Sequence, residues 1–337
     1  MKIHTNIAAS SETNAPTSDF AQQLQLNETK VRSALKSTYD FIVCGSGSSG
    51  SVVARRLAET PNVNVLLLEA GGTDDLANVM EADQWPTNLG SERDWVFQAE
   101  PNKHLNGRSI PMNMGKLLGG GSSINVMTYA RGHKNDWDYF ATEAGDPAWN
   151  YDSVLKIYLG IEDWHGPADP AYRGTGAPVF VQPAPNPNPI APALLEGARS
   201  VGIPSFENPN GRMMEHGYGS AITDIRSRGG KRLSVFRSYT FPYMDRPNLT
   251  VLTHALVTRL IFEGSRVTGV ICNCDGQPYV IGANVEVVLS LGAIHTPKVL
   301  MQSGIGDETE LKRFSIPVVQ HLPGVCYNFQ DHLAAPD

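Results

Sequence analysis

Residues 39–72 read YDFIVCGSGSSGSVVARRLAETPNVNVLLLEAGG, and this stretch decides the fold. Tyr39 to Cys44 is an apolar, β-rich run that ends at glycines, the pattern of a buried strand. Val52, Val53, Leu57 and Ala58 then recur at helical spacing. A second apolar run, Val65 to Leu68, is closed by Glu69-Ala70-Gly71-Gly72. Strand, helix and strand in this order predict the βαβ unit of a parallel sheet. The first turn, Gly45-Ser46-Gly47-Ser48-Ser49-Gly50, satisfies G-x-G-x-x-G, and Glu69 follows its last glycine by 19 positions. Gly45 permits the tight turn, Gly47 lets the backbone approach a pyrophosphate, and Gly50 allows close helix–strand contact. The helix N-terminus offers free N–H groups and partial positive charge to phosphates, and Glu69 can accept hydrogen bonds from a ribose. The bland alternative is a glycine-rich turn with no ligand. The fingerprint itself does not choose between NAD and FAD.

Composition bounds the rest. A chain of 337 residues, 41% hydrophobic and 18% charged, has room for about two globular domains. The net charge is −7 and the 27 basic residues are scattered, which excludes a basic nucleic-acid footprint. No run approaches the ~18 apolar residues of a transmembrane segment. Cys44, Cys272, Cys274 and Cys326 make no disulfide framework, the Cys272/Cys274 pair lacks histidine partners, and no metal site is expected. Core or strand thiols fit a reducing compartment, and the expected location is cytoplasmic. Residues 1–38 form a polar leader without signal or transit character. It is expected to be partly disordered, with a docking helix from Phe20 to Leu35 through Phe20, Leu24, Val31 and Leu35. The prolines from Pro178 to Pro192 predict an extended crossing segment. Asn248 to Ile281 reads as an antiparallel meander, Val285 to Ser290 as a strand, and Thr296 to Gln302 as a helix entered through Pro297. No internal repeat is present.

Two further blocks carry more information. Gly115-Lys116-Leu117-Leu118-Gly119-Gly120-Gly121-Ser122-Ser123-Ile124-Asn125 runs on through Tyr129, Arg131, Gly132 and Asp138. The other is Gly292-Ala293-Ile294-His295-Thr296-Pro297 through Ser303-Gly304-Ile305-Gly306. Taken singly, the first is a flexible loop or phosphate cradle and the second a strand-to-helix turn. Together with the fingerprint, and with Gly324-Val325-Cys326-Tyr327-Asn328-Phe329-Gln330-Asp331-His332, they resemble the glucose–methanol–choline (GMC) family of FAD-dependent oxidoreductases. Arg131-Gly132-His133 with Asp136-Trp137 is most similar to its choline- and alcohol-dehydrogenase branch.

The resemblance implies roles position by position. Ser48 and Ser49 would lie at the FAD pyrophosphate, and Glu69-Ala70 at the adenosine ribose. Gly119 and Gly120 would let the chain pass close to the cofactor. Asn125-Val126-Met127-Thr128 would contact the isoalloxazine ring and ribityl chain, and the Val257 backbone would hold the adenine. Some relatives tether flavin through a histidine just before that Asn; Ile124 stands here, so non-covalent FAD is expected. Met114 replaces an arginine common in relatives. Family members pass a hydride from an alcohol to flavin N5 while a histidine, paired with His or Asn, accepts the hydroxyl proton. That pair lies well beyond the Asn-Phe-Gln-Asp-His stretch, whereas this sequence stops five residues after His332. The expectation is therefore a chain lacking the C-terminal catalytic half, which a second polypeptide would supply. His104, His133, His165, His216, His254, His295 and His321 are candidates by residue type only, with a surface or structural role expected for His133 and His295. No catalytic residue is named.

The expected fold is α/β: a Rossmann-like FAD-binding domain from residues 39–140 and 248–337, with an incomplete α+β substrate domain, residues 141–247, inserted. Its missing strands would leave exposed apolar edges. The expected function is oxidation of a small primary alcohol; the alternatives are a non-catalytic flavin-binding remnant and a flavin-dependent lyase. NAD-dependent dehydrogenase is disfavoured, because it leaves the second and third blocks unexplained.

Overall fold

A computed structural model describes residues 35–331 together with Asn27, Thr29 and Val31. In chain order the principal elements are β1 Thr38–Cys44, α1 Ser48–Ala58, β2 Val65–Leu68, β3 Thr128–Tyr129, α2 Lys134–Ala144, α3 Tyr151–Ile161, β4 Glu162–Trp164, β5 Val179–Pro183, α4 Ile190–Ser200, β6 Asp224–Ile225, β7 Leu249–Leu252, β8 Ala255–Glu263, β9 Arg266–Cys274, β10 Gln277–Leu289 and α5 Gly292–Gln302.

A six-stranded sheet has the order β7-β2-β1-β10-β9-β8. The pairs β7–β2, β2–β1 and β1–β10 are parallel, and β10–β9–β8 is an antiparallel meander. The period of two along the central strands explains why both sheet faces are covered. Ile42, Cys44, Leu66 and Leu68 enter one core with Val270, Ile281 and Val299 of α5. Val43, Val65 and Leu67 enter the other with Ala54 and Ala58 of α1. Each fully buried Val, Leu or Ile contributes about 1.5–3 kcal/mol. Of the expected docking helix, Val31 and Leu35 pack on the first core, while Phe20 and Leu24 lie outside the described residues.

Several local expectations are corrected. Leu249–Leu252 is not part of the meander. It pairs in parallel with β2, because Leu249, Val251 and Leu252 are buried between both cores. The chain then crosses the C-terminal end of β2, where the N–H groups of His254 and Ala255 donate to the carbonyls of Gly71 (3.0 Å) and Glu69 (2.8 Å). Val285–Leu289 is the second half of β10, whose first half pairs with β9 and whose second half pairs with β1. The Pro-rich passage holds β5 and α4. Pro189 precedes α4 and Pro192 sits in its first turn, where a missing N–H costs no intrahelical bond. Helix α5 starts at Gly292, so Pro297 lies inside it, and Thr296 Oγ1 accepts from the Leu291 N–H at 3.1 Å.

A second sheet, β3-β6-β5-β4, is anchored by a buried polar network. Glu162 lies 2.6 Å from Arg131 and 3.1 Å from Arg173, and Arg173 lies 2.8 Å from Asp224. Asn210 Nδ2 donates to Asp224 (2.8 Å) and to the Tyr129 carbonyl (2.9 Å). Two cations and two anions balance, which is the condition for burying charge without a large net cost. Of the histidines, His133 has the structural role expected: its Nδ1 accepts from Asn135 N–H at the start of α2.

Candidate functional site

The fingerprint turn folds as its glycines require. Gly45 has φ +94°, and a Cβ on Gly50 would lie 1.8 Å from the Gly45 carbonyl oxygen. The turn therefore delivers the chain from β1 into α1 with no side chain between them. At Gly47 the situation is different. A Cβ there would meet no protein atom nearer than Gly120 Cα at 4.0 Å. No side chain caps α1, and its first turn holds no acidic residue. The N–H groups of Ser48 and Ser49 have no intrahelical acceptor and face a cavity of about 430 Å³.

Gly45, Gly47, Ser48, Ser49, Glu69, Ala70, Gly120 and Val257 all line that cavity. Val257 reaches it because the chain crosses over the end of β2 before entering β8. Glu69 is buried and already engaged: Oε2 accepts from Ser46 N–H (3.0 Å) and Ser46 Oγ (2.7 Å), and Oε1 accepts from Gly71 N–H (2.9 Å). Desolvation raises its pKa against the pull of those hydrogen bonds. Oε1 keeps one acceptor position for a ligand hydroxyl. Thus Glu69 fixes the turn as well as facing the cavity.

Sequence reasoning missed the aromatic wall of Trp95 and Phe97, which joins Met114 and His295 in lining the cavity. His295 is not at the surface as expected but 7% exposed, with its ring 4.1 Å from that of Trp95 and 5.1 Å from that of Phe97. Burial, and secondarily Lys298, lowers its pKa to about 4. Val96 between the two aromatics has φ +52°, a costly conformation for a β-branched residue. Asp94 holds it there. Burial opposes its ionisation, yet hydrogen bonds from Gly90, Asn113, Val96 and Met114 keep its carboxyl below the usual range. Only the quoted third block signalled His295; no local pattern marked Trp95.

The remaining named residues lie elsewhere. Gly50 is under the turn. Gly119, with φ +86°, is packed against Ser123 and Ser234. Asn125, Val126 and Thr128 present an exposed face, and Met127, φ +62°, is buried beside them. Among the described residues no group of three or more His, Cys, Asp or Glu could hold a metal, and no helix is long and apolar enough to cross a membrane. Cys44, Cys272 and Cys274 are buried as expected, whereas Cys326 is exposed.

The profile of the GMC oxidoreductase family matches residues 39–334. The chain belongs to this family. An oxygen-dependent choline dehydrogenase of Staphylococcus saprophyticus is 39% identical over 303 residues, covering 89% of this chain and 53% of the relative. The mitochondrial choline dehydrogenase of Mus musculus is 39% identical over 312 residues, covering 90% and 51%. The solved pyridoxine 4-oxidase of Mesorbium loti has a TM-score of 0.80 and 31% identity, covering 85% of this chain and 55% of that one. The GMC chain described here spans about half the length of the relatives it matches. GMC oxidoreductases are FAD-dependent, and the cavity fits such a group. Its glycine cradle leaves open at Gly47 the space that a Cβ would fill, beside an uncapped helix N-terminus.

Proposed function

We propose that residues 39–140 and 248–337 form a Rossmann-like FAD-binding unit of an alcohol-oxidising enzyme, and that residues 141–247 form part of its α+β substrate-side unit. The observation that carries this reading is the open cradle at Gly47, which faces Glu69 and Val257 across one cavity. Bound FAD supplies the hydride acceptor for a small primary alcohol. The N–H groups of Ser48 and Ser49 hold its phosphates. Glu69 Oε1 accepts from the adenosine ribose beside Ala70, and the Val257 backbone holds the adenine. Gly119 and Gly120 keep the neighbouring turn free of side chains. The open Asn125–Thr128 face meets the ring end.

Ile124 is 3% exposed and offers no nucleophile, so binding is non-covalent. No catalytic residue is assigned. Among the described residues His295 is the cavity-lining histidine, but its ring is fixed between Trp95 and Phe97 as part of the wall. Nothing observed supports a separate second polypeptide, and the proposal does not include one.

The names of the relatives make choline and simple primary alcohols the first substrates to try. The test is a visible spectrum of the chain mixed with FAD and desalted, then titrated anaerobically with these alcohols. Retained flavin supports the cofactor assignment, and bleaching by an alcohol supports oxidation by this chain itself. Retained flavin that does not bleach fits the reading of a cofactor-binding portion without turnover. Loss of all flavin on desalting overturns the proposed site.

A further inference from the structure

Among the described residues three arginines are buried, and two of them are matched by carboxylates: Arg131 by Glu162, and Arg173 by Glu162 and Asp224. Arg232 is different. It is 1% exposed and forms no ion pair with any carboxylate among the described residues. Its Nε donates to the Val79 carbonyl (3.0 Å), its Nη1 to the Ser122 carbonyl (3.2 Å) and to Asn125 Oδ1 (2.9 Å), and its Nη2 has no hydrogen-bond partner. Arg226 adds a second cation nearby, with its Nε also unpartnered. Asp74 is taken by Arg237 at 2.9 Å and by Ser234. Burial and the neighbouring Arg226 lower the Arg232 pKa to about 10 against the opposing pull of the Asp74 carboxylate, which leaves it charged at neutral pH. A buried cation with no carboxylate in contact, and only a shared one at longer range, is costly for a fold to carry.

The hydrogen bonds show where that charge acts. Asn125 Oδ1 accepts from Arg232 Nη1 and from the Met127 N–H at 3.0 Å. Both bonds turn the amide oxygen inward, so Nδ2, the donor end, is presented at the exposed face of Asn125, Val126 and Thr128. The Arg226 N–H donates to the Met127 carbonyl at 2.9 Å, which ties the second cation to the same segment.

We propose that Arg232 is a positioning residue: it locks the Asn125 amide outward and places a positive charge that touches no carboxylate beneath the Asn125–Thr128 face, which favours a group that gains negative charge there. This rests on the reading that the face meets the flavin ring. Sulfite probes such a charge directly. Its sulfur lone pair forms a bond to flavin N5, and the displaced electron pair settles on the N1–C2 carbonyl side of the ring, with no proton or second reactant needed.

The experiment uses the full chain loaded with FAD, as wild type, Arg232→Lys, Arg232→Met and Asn125→Asp. Sulfite affinity is read from loss of visible absorbance, and affinity for oxidised FAD from flavin fluorescence. Asn125→Asp neutralises the Arg232 charge at an exposed position and is the deciding variant should Arg232→Met not fold. The expected result is sulfite binding weakened by about tenfold or more in Arg232→Met and Asn125→Asp and restored in Arg232→Lys, with affinity for oxidised FAD changed by less than about threefold in the two Arg232 variants. If wild type retains no FAD, the reading beneath this inference falls and the inference falls with it. If wild type retains FAD and Asn125→Asp binds sulfite as tightly, the inference alone is overturned. A parallel loss of FAD and sulfite affinity in the Arg232 variants would likewise overturn it, since that is what a purely structural role predicts.

Discussion

A Cβ placed on Gly120 would stand 2.8 Å from the Cα of Gly47. The two glycine-rich turns therefore rest on each other backbone to backbone, and the cavity floor is made where they touch. Gly120 also has φ +53°. Gly120→Ala is expected to destabilise the fold by about 1–3 kcal/mol, since strain and contact act together. Gly47→Ala places its Cβ in no closer contact than 4.0 Å, with Gly120 Cα, and is expected to change stability by less than about 0.5 kcal/mol while abolishing flavin retention on desalting. Thermal unfolding without cofactor, followed by desalting with FAD, separates the two. Equal loss of stability in both variants would contradict the assignment of Gly47 to ligand space.

Glu69 serves the turn before it serves any ligand. Glu69→Gln replaces one acceptor oxygen with an NH₂ donor, which must face either the Ser46 pair of donors or the Gly71 N–H. The expected cost is about 1–3 kcal/mol, the penalty for a buried unsatisfied donor. Urea unfolding measures it. A neutral result would mean that the turn is held without the carboxylate.

His295 makes the fold sensitive to acid. Its folded pKa, about 4, lies below its ordinary value of 6.5. The unfolded chain therefore binds the extra proton first as pH falls. This stabilisation is complete above about pH 6.5 and is progressively lost down to about pH 4, by up to about 3 kcal/mol in total. His295→Gln should flatten stability across that window when unfolding is followed against pH. An unchanged slope in the variant would show that other groups carry the acid response.

The network under the second sheet is poised the opposite way from Arg232, since each of its charges has a partner. Glu162→Gln leaves Arg131 and Arg173 with Asp224 as the remaining anion of the network. Removing one partner of a buried pair costs about 3–5 kcal/mol. The midpoint of urea unfolding should fall accordingly. A loss below about 1 kcal/mol, the value of an exposed pair, would mean that water enters the network.

The glycine-rich turn between β1 and α1 was legible in the linear sequence because its determinants are local. The apolar runs at Tyr39–Cys44 and Val65–Leu68, the glycines between them and the acid that follows all lie in one short segment, and each has a backbone reason to be where it is. Non-local pairing decided the rest. Nothing local distinguishes Leu249–Leu252 as a parallel neighbour of β2 from the first strand of a meander; two-sided burial made that choice. The chain then had to cross the end of β2, which brought Val257 to the same cavity as Ser48 and Glu69. Trp95 and His295 met as ring partners only after the loop at Asp94 closed over α5. Arg232 looked like any other basic residue until burial, the absence of a matching carboxylate and its bond to Asn125 gave its charge a direction. Sequence alone thus determined where the backbone turns sharply from β1 into α1 and leaves its helix N-terminus uncapped. Tertiary packing decided what faces that turn, because burial and charge compensation are set by neighbours distant along the chain.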